Sequence, residues 1–205
     1  MADRRAEARL AVPVTARDHV RGPADAPVTL VEYGDFECPY CAAARPIVRE
    51  LFERLGGRLR VVHRHFPLTH EHPRAQAAAE AAEAAAVQGK FWEMHDLLYA
   101  SPTRLADADL RGHAAALGLD LGRFDAERAT HAHAARVRED AAGGARSGVS
   151  GTPTFFVDGV RHDGPVDLRE LLAAVAAALP EDDPAPTEGA PRLRIPRVVA
   201  RRPRP

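Results

Sequence analysis

The spacing of apolar positions changes several times along this chain, and each change marks an element. Residues 28–33, VTLVEY, form a β-branched run behind the turn-forming GPADAP, which predicts a buried strand. Ile47, Val48, Leu51, Phe52 and Leu55 recur at three- and four-residue spacing, which predicts a helix over residues 38–55. Gly56 and Gly57 stop that helix, and Pro46 inside it predicts a kink. RLRVVHRHF at 58–66 reads as a second strand, and strand, helix, strand predicts a βαβ unit with parallel strands. Helical patterning dominates residues 73–142: an alanine-rich stretch from Pro73 to Gly89, then KFWEMHDLLYA, DADLRGHAAALG and RFDAERATHAHAARVRED as further helices. Alternation returns in TPTFFVDGVRHDG, where Asp158-Gly159 predicts a hairpin turn. Asp167 can cap a last helix, LRELLAAVAAAL.

Two ends lie outside this pattern. Residues 1–17 form a charged extension whose RLAVPV is a candidate edge strand, limited to an edge by Pro13. Residues 180–205 are rich in Pro, acids and then Arg, a composition that predicts disorder and reads as a solvated tail. Between them, residues 18–179 are expected to form one α/β domain with a helical insertion at about 73–142. Hydrophobic residues make up 45% of the 205, enough for a sizeable core, and the net charge of -1 gives no global case for nucleic-acid or membrane partners. The opening residues carry no apolar segment of the kind found in a secretory signal, no lipid-anchor motif is apparent, and no apolar run is long enough to span a bilayer. The expected location is cytoplasmic.

Both cysteines lie in FECPYC, as Cys38 and Cys41. A C-x-x-C that opens a helix directly after a strand reads as a redox pair: the unpaired first-turn amides favour a thiolate at Cys38. Cys41 follows one turn later on the same face, and Pro39 is tolerated in the first turn. Half a zinc site is the alternative, with His63, His65, His70 and His72 in HRHFPLTHEH as further donors; two small buried residues is the other. Glu32, in the strand before the thiols, is either a buried acid that exchanges protons with Cys41 or a residue exposed on the strand edge. Asp35 and Glu37 read as solvated charges that oppose a thiolate, and His131 and His133 as surface residues. Phe91, Trp92, Leu97 and Leu98 read as a helix face packed into the core, with a substrate groove as the alternative.

DHVRGPADAPVTLVEYGDFECPYC, HRHFPL, GKFWEMHDLLYA and VSGTPTFFVDG together resemble the DsbA-like thioredoxin-fold proteins, over about residues 18–179. The order βαβ, helical block, ββα matches a thioredoxin fold with an inserted α-helical domain between its two halves. The resemblance implies a thiol–disulfide oxidoreductase in which Cys38 is the exposed nucleophile, Cys41 resolves the mixed disulfide, and Glu32 is the buried acid. It implies a cis bond before Pro153, with Thr152, Pro153, Pro39 and Tyr40 meeting an extended substrate chain. It also makes Pro46 the kink proline of the helix. The implied cofactor is none beyond the Cys38–Cys41 disulfide, and no metal. The implied partners are protein thiols and disulfides, or a low-molecular-weight thiol, with a further protein that recycles the pair. Pro39-Tyr40 resembles the glutaredoxin dipeptide rather than the Pro-His of periplasmic DsbA, which leaves the direction of electron flow open and places the expected potential at roughly -130 to -250 mV. A glutaredoxin-like reductase, a small-molecule isomerase and a client-binding chaperone are the rival readings.

Overall fold

The computed structural model describes residues 8–180, so the expected disorder of the tail lies outside the described residues. Its strands are β1 (His19–Arg21), β2 (Val28–Gly34), β3 (Leu59–His65), β4 (Thr154–Val157) and β5 (Val160–Arg161). They form one sheet in the order β1-β3-β2-β4-β5. β2 and β3 run parallel from Val28 against Leu59 to Gly34 against His65, while β4 lies antiparallel on the other side of β2. The helix α1 (Pro39–Leu55) makes the crossover between β2 and β3. Five helices separate β3 from β4: α2 (Ala75–Ala86), α3 (Phe91–Ala100), α4 (Asp107–Ala116), α5 (Leu121–Ala129) and α6 (Ala134–Arg146), and α7 (Leu168–Ala178) closes the described chain. This is a thioredoxin-like fold with a helical insertion.

The period of two along β2 divides its side chains between two cores. Val28 and Leu30 pack with Val48, Leu51 and Phe52 of α1 and with Leu171 and Val175 of α7. Val31 and Tyr33 pack on the opposite face with Val62, Val149 and Phe156. Glu32 follows Val28 and Leu30 in phase, so it points to the α1 side of the sheet. A third core fills the insertion and includes Phe36, Cys38 and Cys41, which places the thiols where sheet and insertion meet.

Several local expectations hold. Asp158 and Gly159 both have positive φ (45° and 79°), the backbone of a tight hairpin turn between β4 and β5. Asp167 caps α7 by accepting from the Glu170 amide at 2.9 Å. An isolated bridge pairs Arg9 with Val160 of β5. Other features differ. The continuous helix expected from RFDAERATHAHAARVRED is two, α5 and α6. Thr130 turns its hydroxyl back onto the Ala126 carbonyl, and His131 adopts a left-handed φ of 51°, which ends α5. α6 then continues through Gly143 and Gly144. A Cβ on Gly144 would stand 2.7 Å from the Phe66 ring and 2.9 Å from that of Tyr33, so glycine is what lets this helix sit on the sheet. The short β1, unmarked by any apolar pattern, pairs antiparallel with β3.

Candidate active site

β2 ends at Gly34, and the loop Asp35–Glu37 delivers Cys38 to the start of α1. Cys38 is the N-cap, with Pro39 in the first turn and no side chain capping the exposed amides. Both thiols are reduced here. Cys41 is fully buried, and Cys38 is only 2% exposed, less open than the resemblance implies. The cause is local: the Cys38 thiol donates to the Thr152 carbonyl at 3.3 Å, and Phe36 and the insertion pack around it.

The two sulfurs have opposite acidities. A hydrogen bond from the Cys41 thiol, aided by the amides of Cys41 and Tyr40 and opposed by burial, lowers the Cys38 pKa to about 5. The Thr152 carbonyl can only accept, so it holds the thiol form; the donors in the first turn of α1 hold the thiolate. Burial, then the bond given to Cys38 and the nearby Glu32 carboxylate, push Cys41 far up. Alkylation of reduced protein by iodoacetamide should therefore modify Cys38 alone, with a rate that rises through a midpoint near pH 5 and is flat at neutrality; a midpoint near 9 would contradict this arrangement.

Asp35 is not solvated. Its side chain is inaccessible and accepts from the Glu37 amide at 2.8 Å, the Leu68 amide at 2.9 Å and His72 Nδ1 at 2.8 Å. Glu37 in turn accepts from the Arg74 amide at 2.6 Å. These two acids, expected to oppose the thiolate, instead tie the 66–74 loop to the thiol loop. They also hold His72 beside the site. Against partial burial, Asp35 and then the Cys38 sulfur raise the His72 pKa, which favours the protonated ring of a histidine from a different loop. Nothing in the sequence spacing pairs residue 35 with residue 72.

Glu32 is 2% exposed. Burial raises its pKa to about 7, and Arg45 partly offsets this. Across the sheet it stands opposite His63 and Phe155. His63, Glu32 and His95 bring potential donor atoms within 4.8 Å of one another. A second group, His19, His65 and Glu83, is internally bonded: Glu83 accepts from His19 at 2.7 Å and from His65 at 2.9 Å. Against its burial, these bonds hold the Glu83 carboxyl well below the usual range. Neither group includes a cysteine, so the thiols and the histidines of HRHFPLTHEH do not converge as a Cys₂His₂ set among the described residues.

The Thr152–Pro153 peptide bond is cis. Both residues are half-buried, with the Thr152 carbonyl against Cys38, while Pro39 and Tyr40 are exposed, Tyr40 at 75%. Phe91 and Leu98 are core residues, and Trp92 packs partly buried against them while its indole donates to the Val20 carbonyl at 3.0 Å. His131 is largely exposed and bonds Glu80, whereas His133 is mostly covered and bonds Glu127. Nothing in the sequence marks His95, because a histidine inside an apolar helical stretch carries no pattern of its own.

A family profile described as Thioredoxin matches residues 15–177. Among solved structures, a thioredoxin-like oxidoreductase from Silicibacter pomeroyi is 29% identical, with a TM-score of 0.72 over 80% of this chain and 93% of that one. Wolbachia pipientis α-DsbA1 has a TM-score of 0.70 at 21% identity, over 82% of this chain and 94% of that one. A curated relative from Salinispora arenicola, named as the Na(+)/H(+) antiporter NhaA 1, is 56% identical over 86% of this chain and 28% of its own length. One from Mycobacterium sp. strain KMS with the same name is 47% identical over 78% of this chain and 27% of its own. The chain spans about a quarter of the length of these curated relatives.

Proposed function

The chain belongs to the thioredoxin family, and from that premise we propose that it is a thiol–disulfide oxidoreductase working through the Cys38–Cys41 pair. The observation that carries this reading is the placement of two thiols one helical turn apart, Cys38 at the uncapped start of α1 against the Thr152 carbonyl and Cys41 fully buried behind it. The Cys38 thiolate attacks a substrate disulfide, one substrate sulfur leaves as thiolate, and a mixed disulfide forms. Cys41 gives its proton to the Glu32 carboxylate and attacks Cys38 Sγ; the Cys38–substrate bond breaks as the Cys38–Cys41 bond forms. In the reverse direction the internal disulfide accepts two electrons from a substrate dithiol.

A Cys38 thiolate present at neutral pH stabilises the reduced pair, so the reading favours net oxidation of substrate thiols. Protein chains are the proposed substrates: the Thr152–Pro153 backbone beside Cys38 suits pairing with an extended segment, and exposed Tyr40 offers an aromatic contact next to it. A low-molecular-weight thiol could serve as the recycling reductant or oxidant of the same pair. The proposal concerns only the part of the antiporter-named relatives that matches this chain; among the described residues no helix is long and apolar enough to cross a membrane.

Cys41→Ser supplies the test. Incubated with a disulfide-bonded protein such as insulin, this variant should accumulate covalent adducts at Cys38 that dithiothreitol releases, while the wild type shows them only transiently. Adducts absent from Cys41→Ser would sink the reading.

A further inference from the structure

Glu32, His63 and His95 come from β2, β3 and α3 and bring one potential donor atom each within 4.8 Å of one another. Glu32 and His63 are register partners on neighbouring parallel strands, so both side chains leave the same face of the sheet. α3 lays His95 against that face, its ring edge-on to His63 with centroids 4.9 Å apart. None of the three is more than 2% exposed. Both His63 nitrogens and His95 Nε2 are buried without a hydrogen-bond partner. An unpaired buried group of this kind costs about 1–3 kcal/mol. The neighbouring His19–His65–Glu83 group shows the contrast: its donors are bonded to one another at 2.7 and 2.9 Å and need no ion.

We propose that Glu32, His63 and His95 form a binding site for a divalent transition-metal ion of the zinc class, a ligand that the family resemblance does not imply. One carboxylate and two imidazoles are donors that such ions take. His95 Nδ1 is engaged with Asp96 Oδ1 at 2.8 Å. A carboxylate only accepts, so Nδ1 carries the ring proton and Nε2 keeps the lone pair that would ligate. Metal-binding histidines are commonly oriented in this way, by a carboxylate on the nitrogen away from the ion. Arg21 and Arg45 fix Asp96 in turn, at 3.0 Å and 2.6 Å. Phe36 stacks on His63 and meets His95 edge-on, with centroids 5.2 and 5.7 Å away, so packing holds both rings.

Donors about 2.0–2.2 Å from one ion stand at most about 4.4 Å apart, so small side-chain rotations bring these three onto it. Glu32 and His95 also border one small cavity, which leaves room for a water as a further ligand. Arg45 acts on Glu32 as a charge, but its guanidinium is turned to Asp96. Two arginines share that one carboxylate, and the surplus positive charge weakens binding without removing a ligand. Glu32 cannot hold an ion and take the Cys41 proton at once. On the redox reading above, metal loading therefore slows resolution by Cys41; the site itself stands without that reading.

The test uses the Cys38→Ser, Cys41→Ser double variant, which removes the thiols as competing ligands. Titrated with Co²⁺ alone, it should bind about one equivalent with a Kd below about 100 µM. The visible spectrum should show nitrogen and oxygen ligands with no thiolate charge-transfer band, and Zn²⁺ should displace the colour. His63→Leu, added to this parent, should weaken binding about 100-fold or more. Leucine is apolar and fits among the aromatic rings, so circular dichroism should be unchanged, and Zn²⁺ should raise the unfolding midpoint of the parent but not of this variant. Should His63→Leu fail to fold, Asp96→Asn carries the comparison: its amide oxygen still accepts from Nδ1, and affinity should fall about 10- to 100-fold. Absence of Co²⁺ binding in the thiol-free parent overturns the site. So does binding that stays within about twofold in His63→Leu, which would assign the ion to other histidines. Failure of Cys41→Ser to trap adducts would instead overturn the redox reading and leave these results unchanged.

Discussion

Cys38→Ser should bring insulin reduction with dithiothreitol down to the uncatalysed rate, below about one thousandth of the wild-type contribution, because the attacking thiolate is gone and Cys41 cannot replace it. Cys41 has no surface exposed, and burial favours its thiol form. The loss should be in reaction rate and not in folding. Ser and Cys have similar volume, the Thr152 carbonyl can accept from a hydroxyl as it does from the thiol, and Cys38 caps α1 through no side-chain bond that serine would break. Circular dichroism and the unfolding midpoint should therefore match wild type closely. Retention of even a tenth of the turnover would assign catalysis to something other than Cys38.

The largest stability effect should come from Asp18→Ala, far from the thiols. Arg64, on β3, is buried under the N-terminal segment, with its side chain 3% exposed and that of Asp18 5%. Its guanidinium donates to Asp18 at 2.7 and 3.1 Å, to the Val12 and Pro13 carbonyls at 2.8 and 2.9 Å, and to the Tyr33 hydroxyl at 3.1 Å. Removing the carboxylate leaves a buried guanidinium without its counter-charge, a change that costs about 3–5 kcal/mol in comparable sites. Chemical denaturation should show the loss as a lower midpoint with little change in slope. A loss under about 1 kcal/mol would mean that Asp18 and Arg64 are solvated. The same pair sets a pH dependence. Against burial, the bond from Arg64 lowers the Asp18 pKa below the ordinary carboxylate value, so its stabilisation is complete above the unfolded-state pKa of about 3.9 and fades as the pH falls through the folded value. Glu83 and Asp96 shift in the same direction, which adds to an acid-labile fold held by partly buried ion pairs.

The sequence was most informative where one local rule sufficed. Strand β2, the helix at Cys38, the Asp158-Gly159 turn and the Asp167 cap each follow from a few adjacent residues. The family resemblance implies that Thr152–Pro153 lies beside thiols 114 positions away, a contact that no local pattern contains. What stayed hidden depends on pairings between distant segments. Asp35 looked solvated because its three partners, the amides of Glu37 and Leu68 and the ring of His72, meet only after the 66–74 loop folds back. His63 and His65, possible zinc donors by composition alone, diverge in role despite sharing a strand: His65 bonds Glu83, while His63 faces Glu32 with both nitrogens unpaired. The break between α5 and α6 is not legible in the sequence because helix propensity does not register a single left-handed residue such as His131.

The decisive experiment is equilibration of the protein with glutathione buffers, read by acid quench and mass spectrometry. One two-electron transition is expected, in which Cys38 and Cys41 pass together from dithiol to intramolecular disulfide at a potential between roughly -130 and -250 mV. Cysteines that titrate independently, or that collect glutathione without ever forming the Cys38–Cys41 bond, would contradict it.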